Sequence, residues 1–282
     1  MTAPLVPCAE CDGTGWVTSL VDGVSRARRC ACWRDGAVSK AMSLARIPKR
    51  YEHCDLDNFV VYENERLVRA VAAARRFADA FPVLDKGLFF IGPPGIGKSH
   101  LAVAVLKRVV QRCGARGLFY DTRDLLRVIR STYDPVVRTT EIEVLRPVMT
   151  ADLLVLDDLG AEKTSEWVEE TLNLIVNTRY NERRLTIFTS NFEEKEQTGE
   201  GDSLLERVGF RIHSRLYEMC EFLEYDGADY RHAPPNAGVE DLVMLWKRGR
   251  PRRQMPSRSG SPARAELKGR ADLKWPGGRA GS

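Results

Sequence analysis

The sequence predicts an α/β fold: a parallel five-stranded sheet flanked by helices, preceded by a small zinc-binding module. Three observations carry this. Short unbroken apolar runs alternate with longer amphipathic ones, the pattern of strands buried on both faces between crossover helices. One of these runs, "LFFI" at 88–91, leads straight into a glycine-rich loop and then a helical pattern. Four cysteines crowd the first 32 residues.

Those cysteines come first. Cys8 and Cys11 form one close pair, Cys30 and Cys32 another, with eighteen residues between the pairs. Two such pairs suit a tetrahedral four-thiolate Zn²⁺ site. Gly13 and Gly15 permit a tight turn after the first pair, and "WVTSL" and "VSRARR" read as a hairpin around "VDG". Reduced, packed cysteines are the alternative, but residues 1–35 have little core in which to pack them. Cys54, Cys113 and Cys220 lie in apolar surroundings and read as core. His53, beside Cys54, is either a stray ligand or an ordinary structural histidine, the second being preferred.

Residues 36–62 read as a linker holding a short basic amphipathic piece before Pro48. Tyr51 and Phe59 are placed either against an adenine ring or in plain packing, with packing slightly preferred. The main domain is expected over 63–232. Leu67, Val71, Ala74, Ala78 and Phe81 share one face and predict a helix over Glu63–Phe81. The Leu88–Ile91 strand follows, then a helix from about Lys98 to Arg112, ended by Gly114. "GLFYD" is the second strand. "TRDLLRVIRSTY" and "TTEIEVLRPVMT" are helices on either side of Asp134-Pro135. "ADLLVLDDLG" holds the third strand, "SEWVEETLNLIVNTRYNE" a long helix and "RLTIFTSN" the fourth strand. "SLLERVGFRIHSRLYEM" reads as one further helix and "CEFLEYDG" as the last strand.

The loop between the first strand and its helix carries the chemistry. Gly92, Pro93, Pro94, Gly95, Ile96, Gly97, Lys98, Ser99 and His100 make a strand–loop–helix of the form G-x-x-x-x-G-K-S. Its glycines let backbone N–H groups turn inward, and the helix N-terminus adds a partial positive charge, so the loop suits a phosphate. Lys98 can reach the β- and γ-phosphates of ATP, and the Ser99 hydroxyl can ligate Mg²⁺. A plain Gly/Pro turn lacks the flanking strand and helix. Asp157 and Asp158 end the third strand, at the edge where ligands sit in open α/β sheets. Asp157 fits the acid that orients Mg²⁺, and Asp158 the group that polarises an attacking water. Thr189, Ser190 and Asn191 end the fourth strand, where an amide can reach the γ-phosphate or that water.

The chain's net charge of +4 is unevenly spread. Residues 247–282 hold eleven Lys/Arg against two Asp/Glu, a net +9, which leaves the preceding residues at −5. Residues 233–282 are read as a basic, disordered tail that either grips nucleic acid or is an idle extension. The apolar runs fall short of a membrane span, the first residues lack the features of a secretory signal, and a cytoplasmic location is expected.

Taken together, "GPPGIGKSHLA", "LLVLDDLG", "TSN", "RIHSRLYEM" and "EYDGADYR" resemble the AAA+ ATPases. Within them the chain looks like the DnaC/DnaI-type helicase loaders, with IstB-type transposition ATPases as neighbours. The N-terminal cysteines separate it from the latter, which are not expected to carry a zinc module. The resemblance implies Walker A roles for Lys98 and Ser99, Walker B roles for Asp157 and Asp158, and sensor 1 for Asn191. Arg215 matches the arginine finger that enters a neighbouring subunit's site, with Arg211 as competitor. The helices at about 124–149 match an insertion that contacts single-stranded DNA, offering Arg127, Arg130, Arg138 and Arg146. Slow ATP hydrolysis, a replicative helicase partner, single-stranded DNA and ATP-dependent self-association follow from the resemblance. A transposition helper acting on duplex DNA with a transposase, and a nucleotide-gated adaptor with negligible turnover, are the rivals. Two departures stand out. Many AAA+ members carry Glu where Asp158 stands, and the chain after Arg231 lacks room for a full helical lid, so no sensor-2 arginine is assigned.

Overall fold

The computed structural model describes residues 8–11, 16–21, 24–163, 165–193, 203–234 and 237–249. The expected turns at Gly13, Gly15 and "VDG", and the tail beyond 249, lie outside the described residues. Strands β1 (Trp16–Val21) and β2 (Val24–Arg29) form the antiparallel hairpin. Helix α1 (Ala31–Leu44) follows directly, with Cys30 at its cap and Cys32 in its first turn.

Five parallel strands make the main sheet: β3 (Gly87–Ile91), β4 (Gly117–Asp121), β5 (Leu153–Asp157), β6 (Leu185–Ser190) and β7 (Cys220–Glu224). Their order across the sheet is β4-β5-β6-β3-β7. The alternation of side chains explains why the strands read as unbroken apolar runs. Leu88 and Phe90 face one core, Phe89 and Ile91 the other. Likewise Leu153 and Val155 face the first, Leu154 and Leu156 the second. Both faces are therefore buried, and no polar alternation can appear.

Helices α2 (Glu65–Ala80) and α3 (Lys98–Cys113) cover the first face. Asn64 caps α2 by accepting from the N–H groups of Arg66 and Leu67. Gly114, in the left-handed conformation, ends α3 by donating to the Val110 carbonyl. Helices α4 (Thr122–Ser131), α5 (Glu141–Thr150) and α6 (Glu166–Asn181) cover the second face.

Four expectations are corrected. The segment read as a linker is built into the fold. Helix α1 packs on α3 and β4, the Ala45 carbonyl accepts from the Phe119 N–H, and Leu56, Phe59 and Tyr62 are buried in the first core. The single helix read over 203–219 is two: α7 (Leu204–Val208) and α8 (Phe210–Met219). Gly209 separates them at φ 79°, ψ 154°, outside the helical region, and a Cβ there would meet a Glu169 carboxylate oxygen at 2.9 Å. The stretch assigned wholly to a tail contains helix α9 (Val239–Gly249). Its Leu242 is buried in the first core, and the Trp246 indole donates to Asp226. Finally, Cys54 and Cys220 are buried but Cys113 is exposed, because it is the last residue of α3.

Candidate nucleotide site

The loop after β3 opens at the C-terminal edge of the sheet, with β6 on one side of β3 and β7 on the other. Gly97 has φ 92°, and a Cβ there would lie 2.6 Å from the Phe59 ring. Phe59 also packs edge-on against His100, with centroids 5.2 Å apart, and near Tyr230. These contacts pack Phe59 against the loop and buttress it. Tyr51 packs edge-on against Phe119.

Lys98 is buried in the first turn of α3. Its ammonium curls back over the loop and donates to the carbonyls of Gly92 and Pro93, both at 2.7 Å. Burial pulls its pKa down to about 8, against the attraction of Asp158 and Asp157. Ser99 donates to Asp157 Oδ1 at 2.7 Å, so the hydroxyl and the strand-end acid meet although 58 residues separate them.

Thr189 of β6 closes the group. Its hydroxyl donates to the same Asp157 oxygen at 2.7 Å and accepts from the Asp158 N–H at 2.9 Å. Asp157 is 3% exposed, and burial raises its pKa, with the Ser99 and Thr189 hydrogen bonds acting in the opposite direction. Asp158 is half buried and adopts φ 58°, a left-handed conformation that Asp tolerates better than most residues. This turn lifts its carboxylate out of the strand, and Asn191 donates to it at 2.5 Å. Burial raises the Asp158 pKa, opposed chiefly by Arg123.

Lys98, Ser99, Asp157, Asp158 and Asn191 are thus brought together by three adjacent strands. Two further groups belong with them. Thr189 stands out in the sequence only as part of a polar strand end. Arg231, which had no assigned role, sits close enough for its charge to act on both Lys98 and Asp158. The Tyr230 N–H donates to the Gly95 carbonyl at 3.0 Å and holds that segment over the loop. Arg215 lies elsewhere, on α8. It donates to the Arg211 carbonyl and lines a groove of about 330 Å³ with Glu170, Asn173, Leu174, Asn177 and Arg211.

This strand–loop–helix with its paired acids is matched by a family model. The model for the IstB-like ATP binding protein covers residues 23–235. The chain belongs to that family. The replicative helicase loader DnaC of Buchnera aphidicola subsp. Acyrthosiphon pisum is 27% identical over 194 residues, which is 66% of this chain and 77% of that protein. The crystal structure of a DnaC helicase loader superposes with a TM-score of 0.56 at 37% identity, covering 64% of this chain and all of that one. The DnaI structure gives 0.53 at 26% identity, over 64% of this chain and 97% of that one. The resemblance to DnaC/DnaI-type AAA+ proteins is therefore sound, and IstB-like members stand beside them as expected.

The four N-terminal cysteines also converge. Their sulfur atoms lie within 4.8 Å of one another, with Cys8 to Cys30 at 3.7 Å and Cys11 to Cys32 at 3.3 Å. Sulfurs around a tetrahedral zinc are about 3.8 Å apart at bonds of about 2.3 Å, so the donor set fits that ion. The side chains of Cys11 and Cys30 hold the Cys32 thiol well above its ordinary pKa, a crowding that a divalent cation would relieve. Cys8→Ser should lower the zinc content by about one equivalent per chain and melt the hairpin. Nucleotide binding should persist. Metal analysis of chains prepared without chelator, with circular dichroism, checks both.

Proposed function

We propose that this chain is an ATP-dependent loader of a replicative DNA helicase. The observation that carries this is the meeting of Lys98, Ser99, Asp157 and Thr189 at one sheet edge, in a chain whose relatives are DnaC loaders. Gly92 to His100 would wrap the ATP phosphates, with Lys98 leaving the loop carbonyls for the β- and γ-phosphate oxygens. Ser99 and Asp157 fit Mg²⁺: their oxygens stand 2.7 Å apart, close to the roughly 3 Å between neighbouring ligands of an octahedral ion with bonds of about 2.1 Å. The cation, when bound, would neutralise phosphate charge. Asp158, steered by Asn191, would orient the attacking water, and its short side chain suits slow turnover and a switch-like use of ATP.

ATP-bound copies would associate side by side, Arg215 of one entering the site of the next. The cysteine module, residues 1–35, would hold the helicase. Of the four insertion arginines, Arg130 is stacked over Trp167 at 4.6 Å and Arg127 is paired with Asp124 at 2.9 Å. Arg138 and Arg146 then offer the more available charges for a single-stranded DNA backbone. The cytoplasm is the compartment for this work.

Asp158→Asn should leave ATP affinity nearly unchanged and slow hydrolysis by about 100-fold, the scale of a lost general base. Asn tolerates the same left-handed backbone and can still accept from Asn191, so the site should keep its shape. Equilibrium nucleotide binding beside single-turnover hydrolysis separates the two; a collapse in affinity would place Asp158 on the metal instead.

The family model's own name favours a second reading, a transposition helper ATPase. Co-purification decides between them. The loader reading expects capture of the host's replicative helicase and ATPase activity altered by single-stranded DNA. Capture of a transposase with stimulation by duplex DNA would overturn it, and absent turnover under both conditions would make the chain a nucleotide-gated adaptor.

A further inference from the structure

A second group of soft ligands borders the nucleotide site and shares His100 with it. His53, Cys54 and His100 each bring a ligand atom within 4.8 Å of the other two. Cys54 Sγ lies 3.9 Å from His53 Nε2. Cys54 is buried, His100 half buried and His53 exposed, so the group has a walled side and an open side. We propose that these three side chains bind a soft divalent cation of the zinc class, with the fourth position open to water.

Three features of the group favour a bound ion. The first is the donor set: three protein ligands drawn from imidazole and thiolate, with a fourth position open, is the arrangement of catalytic zinc sites. The second is spacing. Ligand atoms around tetrahedral zinc stand roughly 3.3–3.7 Å apart, so small side-chain rotations would close the present cluster on an ion. The third is the tautomer of His100. Its Nε2 faces the Asp55 carbonyl at 3.0 Å and Asn58 Oδ1 at 3.1 Å. The amide of Asn58 is fixed by its own bonds, Oδ1 accepting from the Asp55 N–H and Nδ2 donating to the His53 carbonyl. Both partners of Nε2 are therefore acceptors, and Nε2 must carry the proton. Nδ1 keeps the lone pair and would be the nitrogen offered to an ion, in a ring oriented by an N–H donated to a backbone carbonyl, the usual outer-shell support of a metal-bound histidine. Lys107 is the nearby cation that works against the site, but its ammonium donates to the carbonyls of Glu52 and Cys54 and so also fixes the backbone that carries two of the ligands. A bound ion would fasten residues 53–54 to the first turn of α3, one residue beyond Ser99.

The test uses the full chain with Cys8, Cys11, Cys30 and Cys32 replaced by Ser, titrated with Co²⁺. One equivalent should bind with a thiolate-to-cobalt charge-transfer band, and adding either His53→Ala or Cys54→Ala should remove the band. No band, or a band that survives either change, overturns the proposal. The unaltered chain supplies a second measurement. His53→Ala, at an exposed position, should lower the zinc held after loading and desalting by one equivalent per chain, as measured by mass spectrometry. An unchanged count overturns the proposal. The difference between the two chains is what is read, so the result stands whether or not the N-terminal cysteines bind zinc.

Discussion

Lys98→Ala should weaken ATP binding by about 100-fold or more and abolish hydrolysis. The ammonium is buried over the loop, and on binding it exchanges two bonds to loop carbonyls for charge-assisted ones to phosphate oxygens. Charge-assisted hydrogen bonds contribute about 1.5–3 kcal/mol each, and two of them correspond to at least 100-fold in Kd. The fold should survive, since the core residues of α3 that face the sheet are unchanged. The pH dependence adds a second signature. With its pKa near 8 in the free protein, Lys98 is charged below that value and loses its proton as pH rises through it. Phosphate oxygens favour the charged form, so above about pH 8 binding must take up a proton, and affinity should fall as pH rises. Lys98→Ala should lack this fall. Calorimetric titration of both chains at pH 7 and pH 9.5 measures both effects, and unchanged turnover in Lys98→Ala would remove the phosphate-loop assignment.

Arg215→Ala should leave ATP binding by the monomer intact and cut assembly-dependent hydrolysis by about 1000-fold, the scale of an arginine finger. Arg215 projects from α8 beside the Tyr180 ring and a groove with Arg211, away from the cluster around Asp157. Phe210, the first residue of the same helix, is 75% exposed, an unusual state for an aromatic, and burial against a second subunit would remove it from water. Mixing tests the trans role. Arg215→Ala keeps a working pocket and Lys98→Ala keeps a working finger, so the two inactive chains together should recover part of the hydrolysis. Mixtures that co-sediment but stay inactive would shift the role to Arg211 or leave Arg215 structural.

Much of this was legible in the sequence, for definite reasons. Strands buried on both faces must be apolar at every position, so "LFFI" and "LLVLD" stood out from amphipathic helices. The phosphate loop is local in sequence, and local chemistry can be read directly. What escaped depends on distant partners. Thr189 joins Asp157 and Asp158 only because β6 lies beside β5, and nothing in "TSN" names that neighbour. Arg231 approaches the site because β7 lies beside β3 and the chain beyond it returns over Gly95. Helix α9 was hidden by the basic residues that follow it, although Leu242 and Trp246 carry its packing face. The break at Gly209 could have been suspected, since glycine weakens a helix interior, but a glycine inside a helix is tolerated often enough that only its backbone angles decide.

Helicase retained on DNA without free ends reads loading itself. The host's purified replicative helicase is incubated with closed circular single-stranded DNA and this chain, and the helicase retained on the DNA after gel filtration is quantified. The loader account predicts helicase on the circles only when the chain and ATP are both present, with Lys98→Ala failing to support it. Equal retention with and without the chain, or retention supported equally by Lys98→Ala, would contradict it.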